Sequence, residues 1–81
     1  MIRVLQELDV PVDSFDAVSD DGQPHTVEQV ELRRRIVNDM DGREAWAQPV
    51  VWYRCGRIEV TPETDGVYWL QTNPPRRLWR R

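Results

Sequence analysis

Residues 50–72 read VVWYRCGRIEVTPETDGVYWLQT, and this stretch decides the fold. It contains three short apolar runs, residues 50–54, 57–61 and 67–72, with turn-forming residues between them. Cys55-Gly56 separates the first two runs, and residues 62–66, which include Pro62 and Gly66, separate the last two. Short runs rich in Val, Ile, Tyr and Trp with such breaks predict two consecutive antiparallel hairpins.

The second hairpin is predicted to have one apolar and one polar face. A loop over residues 62–66 pairs Thr61 with Val67, and paired residues share a face of the sheet. The apolar side chains then point to one side, where we expect the core: Ile58, Val60, Tyr68 and Leu70. Trp69 falls on the opposite side, which is otherwise polar and carries Arg57 and Gln71.

The first hairpin has two candidate registers. A two-residue turn at Cys55-Gly56 pairs Tyr53 with Ile58 and leaves Trp52 on the polar side. A three-residue loop over residues 54–56 pairs Trp52 with Ile58 instead and places Tyr53 on the polar side. We favour the three-residue loop, because it requires a positive φ only at Gly56, whereas the tighter turn also requires one at Cys55.

Residues 26–41 predict a helix. Thr26 has the character of an N-cap and Gln29 follows three residues later, as in a capping box. Asp41-Gly42 is a stop signal at the other end. Apolar residues recur between them at roughly helical spacing: Val27, Val30, Ile36, Val37 and Met40.

The predicted fold is therefore α+β, an antiparallel sheet of four or five strands with one helix packed on one face. Weak strand patterns near Ile2 and over residues 14–19 supply the other strands, and Pro11 is expected to end the first. Residues 43–48 are expected to form an irregular connection whose Trp46 covers the core. We expect one domain over residues 1–73, followed by a basic tail, residues 74–81 (PPRRLWRR), which either stays in solvent or ties Leu78 and Trp79 to the core.

Composition indicates a soluble globular protein, with 40% hydrophobic and 31% charged residues. No apolar run approaches the length that spans a bilayer. Cys55 is the only cysteine, so an internal disulfide is impossible, and we expect the reducing cytoplasm as the location. Residues 1–42 carry ten acids and four arginines, and residues 43–81 carry four acids and seven arginines. Such a polarised chain suits an oriented encounter with a charged partner.

The polar face of the sheet is the candidate binding surface. Exposed aromatic side chains fill pockets of partner proteins, and arginine is also frequent in such contacts. We therefore expect a small binding module that recognises a protein through Tyr53, Arg57, Trp69 and Gln71, with Trp69 as its main contact.

Two other functions are compatible with the sequence. Arginines around an aromatic ring suit phosphates and bases. Nucleic-acid binding is therefore the first alternative, through Arg57, Trp69 and the tail residues Arg76, Arg77, Trp79, Arg80 and Arg81. The second is a phage-type inhibitor whose acidic first half imitates a nucleic-acid backbone. An exposed last strand, residues 67–72, also predicts a homodimer through that edge.

Patterns that support catalysis or metal binding are missing. His25 is the only histidine, and together with Cys55 it supplies too few ligands for a zinc site. The four glycines are scattered singly, so the chain has no phosphate-binding glycine loop. We therefore expect no enzymatic activity, no cofactor and no bound metal.

From Gly22 to Pro74 the order of elements resembles a family of small bacterial and phage domains of unknown function. The similar residues are Thr26-Val27-Glu28-Gln29-Val30 at the expected helix start and Tyr68-Trp69-Leu70-Gln71-Thr72 on the last strand. The resemblance implies a turn, a short helix and closing strands. It implies no activity, because none is assigned to the family.

Overall fold

The structure, a computed structural model, describes all 81 residues and consists of strands without any helix. The prediction of an α+β fold with a packed helix is therefore wrong, and the protein is all-β. The seven strands are β1 (Ile2–Ser19), β2 (Pro24–Asn38), β3 (Glu44–Trp46), β4 (Val50–Cys55), β5 (Ile58–Thr64), β6 (Val67–Leu70) and β7 (Arg76–Arg80).

Six of the strands close into a ring. β1 pairs with both β2 and β7, and the order around the ring is β1-β2-β4-β5-β6-β7. Every neighbouring pair is antiparallel. A sheet whose first strand pairs with its last forms a barrel. β3 pairs only with β2 and lies beside the part of β2 that extends beyond the ring.

The helix predicted for residues 26–41 is absent because most of that segment is β2. Val27 and Val30 are both fully buried, although an odd separation places them on opposite faces of a strand. Val27 belongs to the barrel core, whereas Val30 lies in register with Trp52 of β4 and Pro11 of β1 on the other face. A strand that buries residues on both faces imitates the apolar spacing of a helix. Its β-branched residues instead favour the extended chain.

β1 continues through Pro11, so the two short strands expected before residue 19 are one long strand. Its register against β2 shifts at two places, each of which leaves one residue, Leu5 or Val12, without a partner. Such an extra residue is a β-bulge. Proline is tolerated in a strand next to a bulge, so Pro11 beside the bulge at Val12 does not end β1.

The core fills the barrel and is small. Its six buried residues are Ala17, Val27, Val60, Tyr68, Leu70 and Leu78. Leu78 is 0% exposed in the middle of β7, so the expectation of a tail in solvent is wrong, and of the two residues that the alternative ties to the core only Leu78 is buried there. Alternation along β7 explains this, because Leu78 points inward while Arg77 and Trp79 point outward. Ile58, also expected in the core, is 38% exposed near the start of β5.

The β4–β5 turn is Gly56-Arg57, which neither expected register contains. Gly56 has a φ of 62° at the first turn position, where one class of two-residue hairpin turn requires glycine. Tyr53 therefore pairs with Val60 and faces the interior. The placement of Tyr53 on the polar face is wrong, and Trp52 takes the outward direction instead.

The β5–β6 turn is formed by residues 65–66, where Gly66 has a φ of 77°. β5 is consequently longer than expected, and Val60 pairs with Leu70 instead of Tyr68. A shift of two residues leaves every side chain on its original face. The prediction that Val60, Tyr68 and Leu70 point inward and Trp69 outward is therefore confirmed.

β6 is flanked by β5 and β7 along its length. The homodimer expected through residues 67–72 therefore lacks the exposed strand edge on which that expectation rested. Free edges occur on β3 and on the first half of β1, because β7 pairs only with Ala17–Ser19 of β1.

The part of the β1–β2 hairpin outside the ring projects from the barrel together with β3 and the start of β4. We call this projection the arm, and it comprises residues 1–12 and 31–51. The ladder between the two strands continues to the pair Ile2 and Asn38, far beyond the last contact with β7. β3 adds a third strand to the arm, and its Trp46 is 54% exposed instead of covering the core. The molecule measures 55 × 23 × 21 Å, which is the shape of a small barrel with one long extension.

Candidate protein-binding surfaces

The arm has an inner and an outer face, because residues paired across strands point to the same side. The inner face continues into the barrel interior. On β2 it is the face of Val27, which lies in the barrel core. The outer face continues onto the outside of the barrel. The ion pairs agree with this assignment. Arg34 on the outer face places Nε 3.0 Å from Oε1 of Glu7, and Arg33 on the inner face places Nη2 2.8 Å from Oε1 of Glu31.

The outer face of the arm is largely apolar. Its apolar residues are Ile2, Val4, Leu32, Ile36, Ala45 and Val50. Ile2, Val4 and Val50 are each more than half exposed. The charged strand residues on this face are Glu7, Asp9 and Arg34, of which two form the ion pair described above. This face therefore offers apolar residues on both sides of the Glu7–Arg34 ion pair, and Asp9 is a further charge in the row of Leu32 and Val50.

The inner face of the arm mixes apolar and charged residues. Leu8, Trp46 and Val51 are exposed on it. The charged strand residues on the same face are Arg3, Glu31, Arg33, Arg35 and Glu44. A cavity of about 530 Å³ is lined by Leu8, Arg33, Trp46 and residues 47–49. With five charged strand residues against three, the inner face is the more polar of the two.

Trp69 forms part of a second surface, on the outside of the barrel. The guanidinium carbon of Arg77 lies 4.8 Å from the centre of its indole, and Arg77 Nε lies 3.6 Å from a carboxylate oxygen of Glu63. A groove of about 570 Å³ is lined by Trp69, Trp79, residues 74–77 and Asp20-Asp21. The indole of Trp69 is therefore half-buried beneath a neighbouring arginine.

The four residues predicted to bind a protein partner are not brought together. Tyr53 packs among the aromatic side chains of the core. Arg57 occupies the β4–β5 turn. Gln71 follows β6 and donates a hydrogen bond from Nε2 to Oγ1 of Thr61, 2.7 Å away. Because Thr61 pairs with Trp69, only Trp69 and Gln71 share a surface.

The arginines of the alternative nucleic-acid site already have partners for the most part. Arg76 Nη1 lies 3.3 Å from Oδ2 of Asp21, and Arg77 pairs with Glu63. Arg80 lies over the ring of Phe15, with 4.4 Å between its guanidinium carbon and the ring centre. The side chains that form no ion pair belong to Arg57, Arg80 and Arg81.

Cys55 and His25 meet in the structure, although thirty residues separate them in the chain. The Cys55 Sγ lies 4.0 Å from Nδ1 of His25, and Nε2 of His25 lies 3.4 Å from the hydroxyl of Ser19. Burial raises the pKa of the Cys55 thiol above its ordinary value. A nucleophilic cysteine is favoured by the opposite shift.

Asp21 organises the turn between β1 and β2. It accepts hydrogen bonds from the hydroxyl of Ser19 and from the backbone N–H of Gln23. These bonds, together with the positive charge of Arg76, hold the pKa of the Asp21 carboxyl below its ordinary value. No group of three or more His, Cys, Asp or Glu side chains is arranged to hold a metal ion.

The arm is the candidate binding feature that sequence reasoning missed. A signal for it exists, because Asp41-Gly42 can end a strand as well as a helix, and Gly42 has a φ of 69°. A hairpin over this turn would have required pairing residues 31–38 with the weak strand near Ile2, which lies about thirty residues away in the chain.

In comparisons with known proteins, no family model, curated protein or solved structure matches the chain. The short helix implied by the family resemblance is absent, since Thr26–Val30 lies within β2. The structure also contains no helix long and apolar enough to cross a membrane.

Proposed function

We propose that the protein is a non-enzymatic binding module that holds another protein with its arm. One observation carries the proposal: ten of the twelve exposed large hydrophobic side chains lie on the arm. Single exposed hydrophobic residues are ordinary on protein surfaces, whereas their concentration in one region is typical of contact surfaces. The lone Cys55 favours the cytoplasm as the setting.

The shape of the molecule supports the proposal. Its radius of gyration is 16.4 Å, against about 12 Å for a compact domain of this length. Its accessible surface is 5903 Å², against roughly 5100 Å² for a compact protein of 9.6 kDa. The excess of roughly 800 Å² is close to what one partner buries in an interface of ordinary size. The arm is therefore large enough to supply a complete binding surface.

The Trp69 surface is the second candidate for the contact. Its groove is flanked by two indoles, and Trp79 is 37% exposed. Tryptophan is frequent among the residues that dominate binding energy. Arg77 must move aside before a partner can stack on the outer side of Trp69. The Trp69 indole is therefore less accessible to a partner than the exposed side chains of the arm.

The charge arrangement disfavours the nucleic-acid hypotheses. Phosphate binding requires free cations, whereas Arg76 and Arg77 are each paired with a carboxylate, and Asp20 and Asp21 line the groove beside them. Imitation of a nucleic-acid backbone requires unpaired acids. Glu7, Glu31 and Asp39 of the acidic first half are instead paired with arginines of the same half.

A capture experiment tests the proposal. Tagged full-length protein is added to a bacterial lysate that also contains an untagged copy, with and without nuclease, and the bound proteins are identified by mass spectrometry. The arm variant combines Val4→Glu with Trp46→Glu, one change on each face, and the matched variant is Trp69→Ala. We expect a captured protein that resists nuclease, is lost with the arm variant and is retained by Trp69→Ala.

Other outcomes contradict this proposal in distinct ways. Equal capture by the wild type and the arm variant would mean that the arm does not bind the captured protein. Loss with Trp69→Ala alone would transfer the function to the Trp69 surface. Loss on nuclease treatment, with a steep dependence on salt, would support nucleic-acid binding instead.

A further inference from the structure

We propose that the partner of the arm is a second copy of this chain, packed outer face to outer face. This inference rests on the proposed function and adds the identity of the partner. The arms would form a two-layer sandwich of sheets, and the two barrels would lie together at one end of it.

The outer face is the better candidate for burial. Burying charged groups is costly even when they are paired, and this face carries three charged strand residues whereas the inner face carries five, all of them in ion pairs. On the outer face, Glu7 and Arg34 already neutralise each other, and Asp9 is the one charged residue that forms no ion pair. Val4 and Val50 lie in the rows on either side of that ion pair, so apolar contact flanks the charge.

The row of charge is complementary to itself. Glu7 lies on β1 and Arg34 lies opposite it on the neighbouring strand β2. A two-fold axis parallel to the strands and between them places β1 of one copy over β2 of the other. Glu7 of each copy then faces Arg34 of the other, and Val4 faces Ile36. About half of each charged side chain is exposed, so both can reach across the interface.

The remaining properties of the arm also favour a second copy. The arm carries six acids and five arginines, so two arms brought together repel each other little. An extended ribbon that is open to water on both faces is only marginally stable, so it benefits from a partner that is always present. A second copy meets that condition.

The mass of the purified wild-type protein in solution is the first test. Sedimentation velocity or light scattering at about 100 µM should give twice the chain mass of 9.6 kDa. Val50→Glu buries a carboxylate in the interface and should raise the dissociation constant of the dimer at least about a hundredfold.

Val51→Glu is the matched control, because Val51 is the next residue of the same strand and is 46% exposed on the inner face, against 54% for Val50. It should leave the mass unchanged. Circular dichroism and a thermal melt must show that both variants keep the fold.

A charge exchange tests the contact between copies directly. Glu7→Arg gives two cations in the row formed by residues 7 and 34, and Arg34→Glu gives two anions there. Each variant alone should be monomeric. An equimolar mixture of the two should restore a heterodimer, because every charge then faces its opposite in the other copy. The ion pair within one chain cannot explain this recovery, since it is broken in both variants.

Four results would overturn the inference. Two concern the wild type: a monomer at about 100 µM, which is two orders above a micromolar dissociation constant, or an assembly larger than a dimer. The other two concern the variants: loss of the dimer with Val51→Glu but not with Val50→Glu, or no heterodimer in the mixture of Glu7→Arg and Arg34→Glu. A wild-type monomer that still captures a different protein through the arm would leave the proposed function intact. Failure of the arm variant to change any capture would end the proposed function itself.

Discussion

Replacing Leu78 by alanine tests whether the C-terminal segment completes the barrel. Leu78 is fully buried in β7, and its side chain contacts the cluster formed by the other core residues. A buried Leu→Ala change costs 2–5 kcal/mol, and about 3 kcal/mol is expected here. A chain of 81 residues with nine buried ones is stable by only about 4–8 kcal/mol, so this single change removes about half of the free energy of unfolding.

The assay is urea or thermal denaturation followed by far-ultraviolet circular dichroism. At 4–8 °C for each kcal/mol, the melting temperature should fall by roughly 12–24 °C. The matched control is Trp79→Ala, which removes a larger but outward-facing side chain from the next position of β7 and should cost no more than about 1 kcal/mol. A loss below about 1 kcal/mol for Leu78→Ala, within the range of surface changes, would refute the closure of the barrel by β7.

Three further predictions concern the turns and the buried thiol. Because burial raises the pKa of Cys55, its thiol should react with maleimide more slowly than a free thiol at pH 8. For the same reason the free energy of unfolding should fall as pH rises through the unfolded thiol pKa of about 9, and Cys55→Ser should remove this fall. The lowered pKa of Asp21 gives stability that is present above an unfolded pKa of 3.8 and lost as pH falls through the lower folded value; Asp21→Asn should flatten this acid limb of the stability profile. Gly66→Ala should cost about 1–2 kcal/mol in urea denaturation, because alanine disfavours a φ of 77° and the added methyl has no neighbour within 4 Å.

The local part of the fold was accessible from the sequence. Residues 50–72 form consecutive antiparallel strands with short turns, and alternation alone assigned the faces of Val60, Tyr68 and Trp69. Those face assignments held although the register of the second hairpin was displaced by two residues, because a displacement by an even number leaves the faces unchanged. In the first hairpin the position of Gly56 in its turn was misjudged, and the face of Tyr53 was therefore wrong.

The non-local part could not be predicted for physical reasons. β2 buries Val27 on one face and Val30 on the other, which produces a spacing that is also typical of a helix. Closure of the barrel depends on one buried side chain, Leu78, within a segment otherwise composed of arginine, proline and tryptophan. Neither β2 nor β7 shows the regular alternation of apolar and polar residues that marks a half-buried strand. Which of their residues are buried is decided by the strands that pair with them.

The same reasoning explains why the proposed binding site lay outside the sequence-based prediction. The prediction followed Trp69, whose outward direction is a local property of β6. The arm instead depends on pairing between the two ends of a long hairpin, where Val4 meets Ile36. A binding surface formed by non-local pairing is visible only after the topology is known, even when each of its residues is an unremarkable valine or isoleucine.

The contrast between barrel and arm leads to a last prediction, on hydrogen exchange. Amides of β6 lie between two paired strands and over the core, so they should exchange only on global unfolding, whereas amides near Val4 and Ile36 should exchange through local opening. If a second copy covers the outer face, protection of the arm should rise with protein concentration while protection at Tyr68 stays constant, since only the arm gains contacts. Deuterium uptake measured by mass spectrometry well below and well above the dissociation constant of the dimer separates the two regions. An arm already protected as strongly as β6 in the dilute monomer would mean that the ribbon is stable by itself, and its exposed surface would then give no reason to expect a partner.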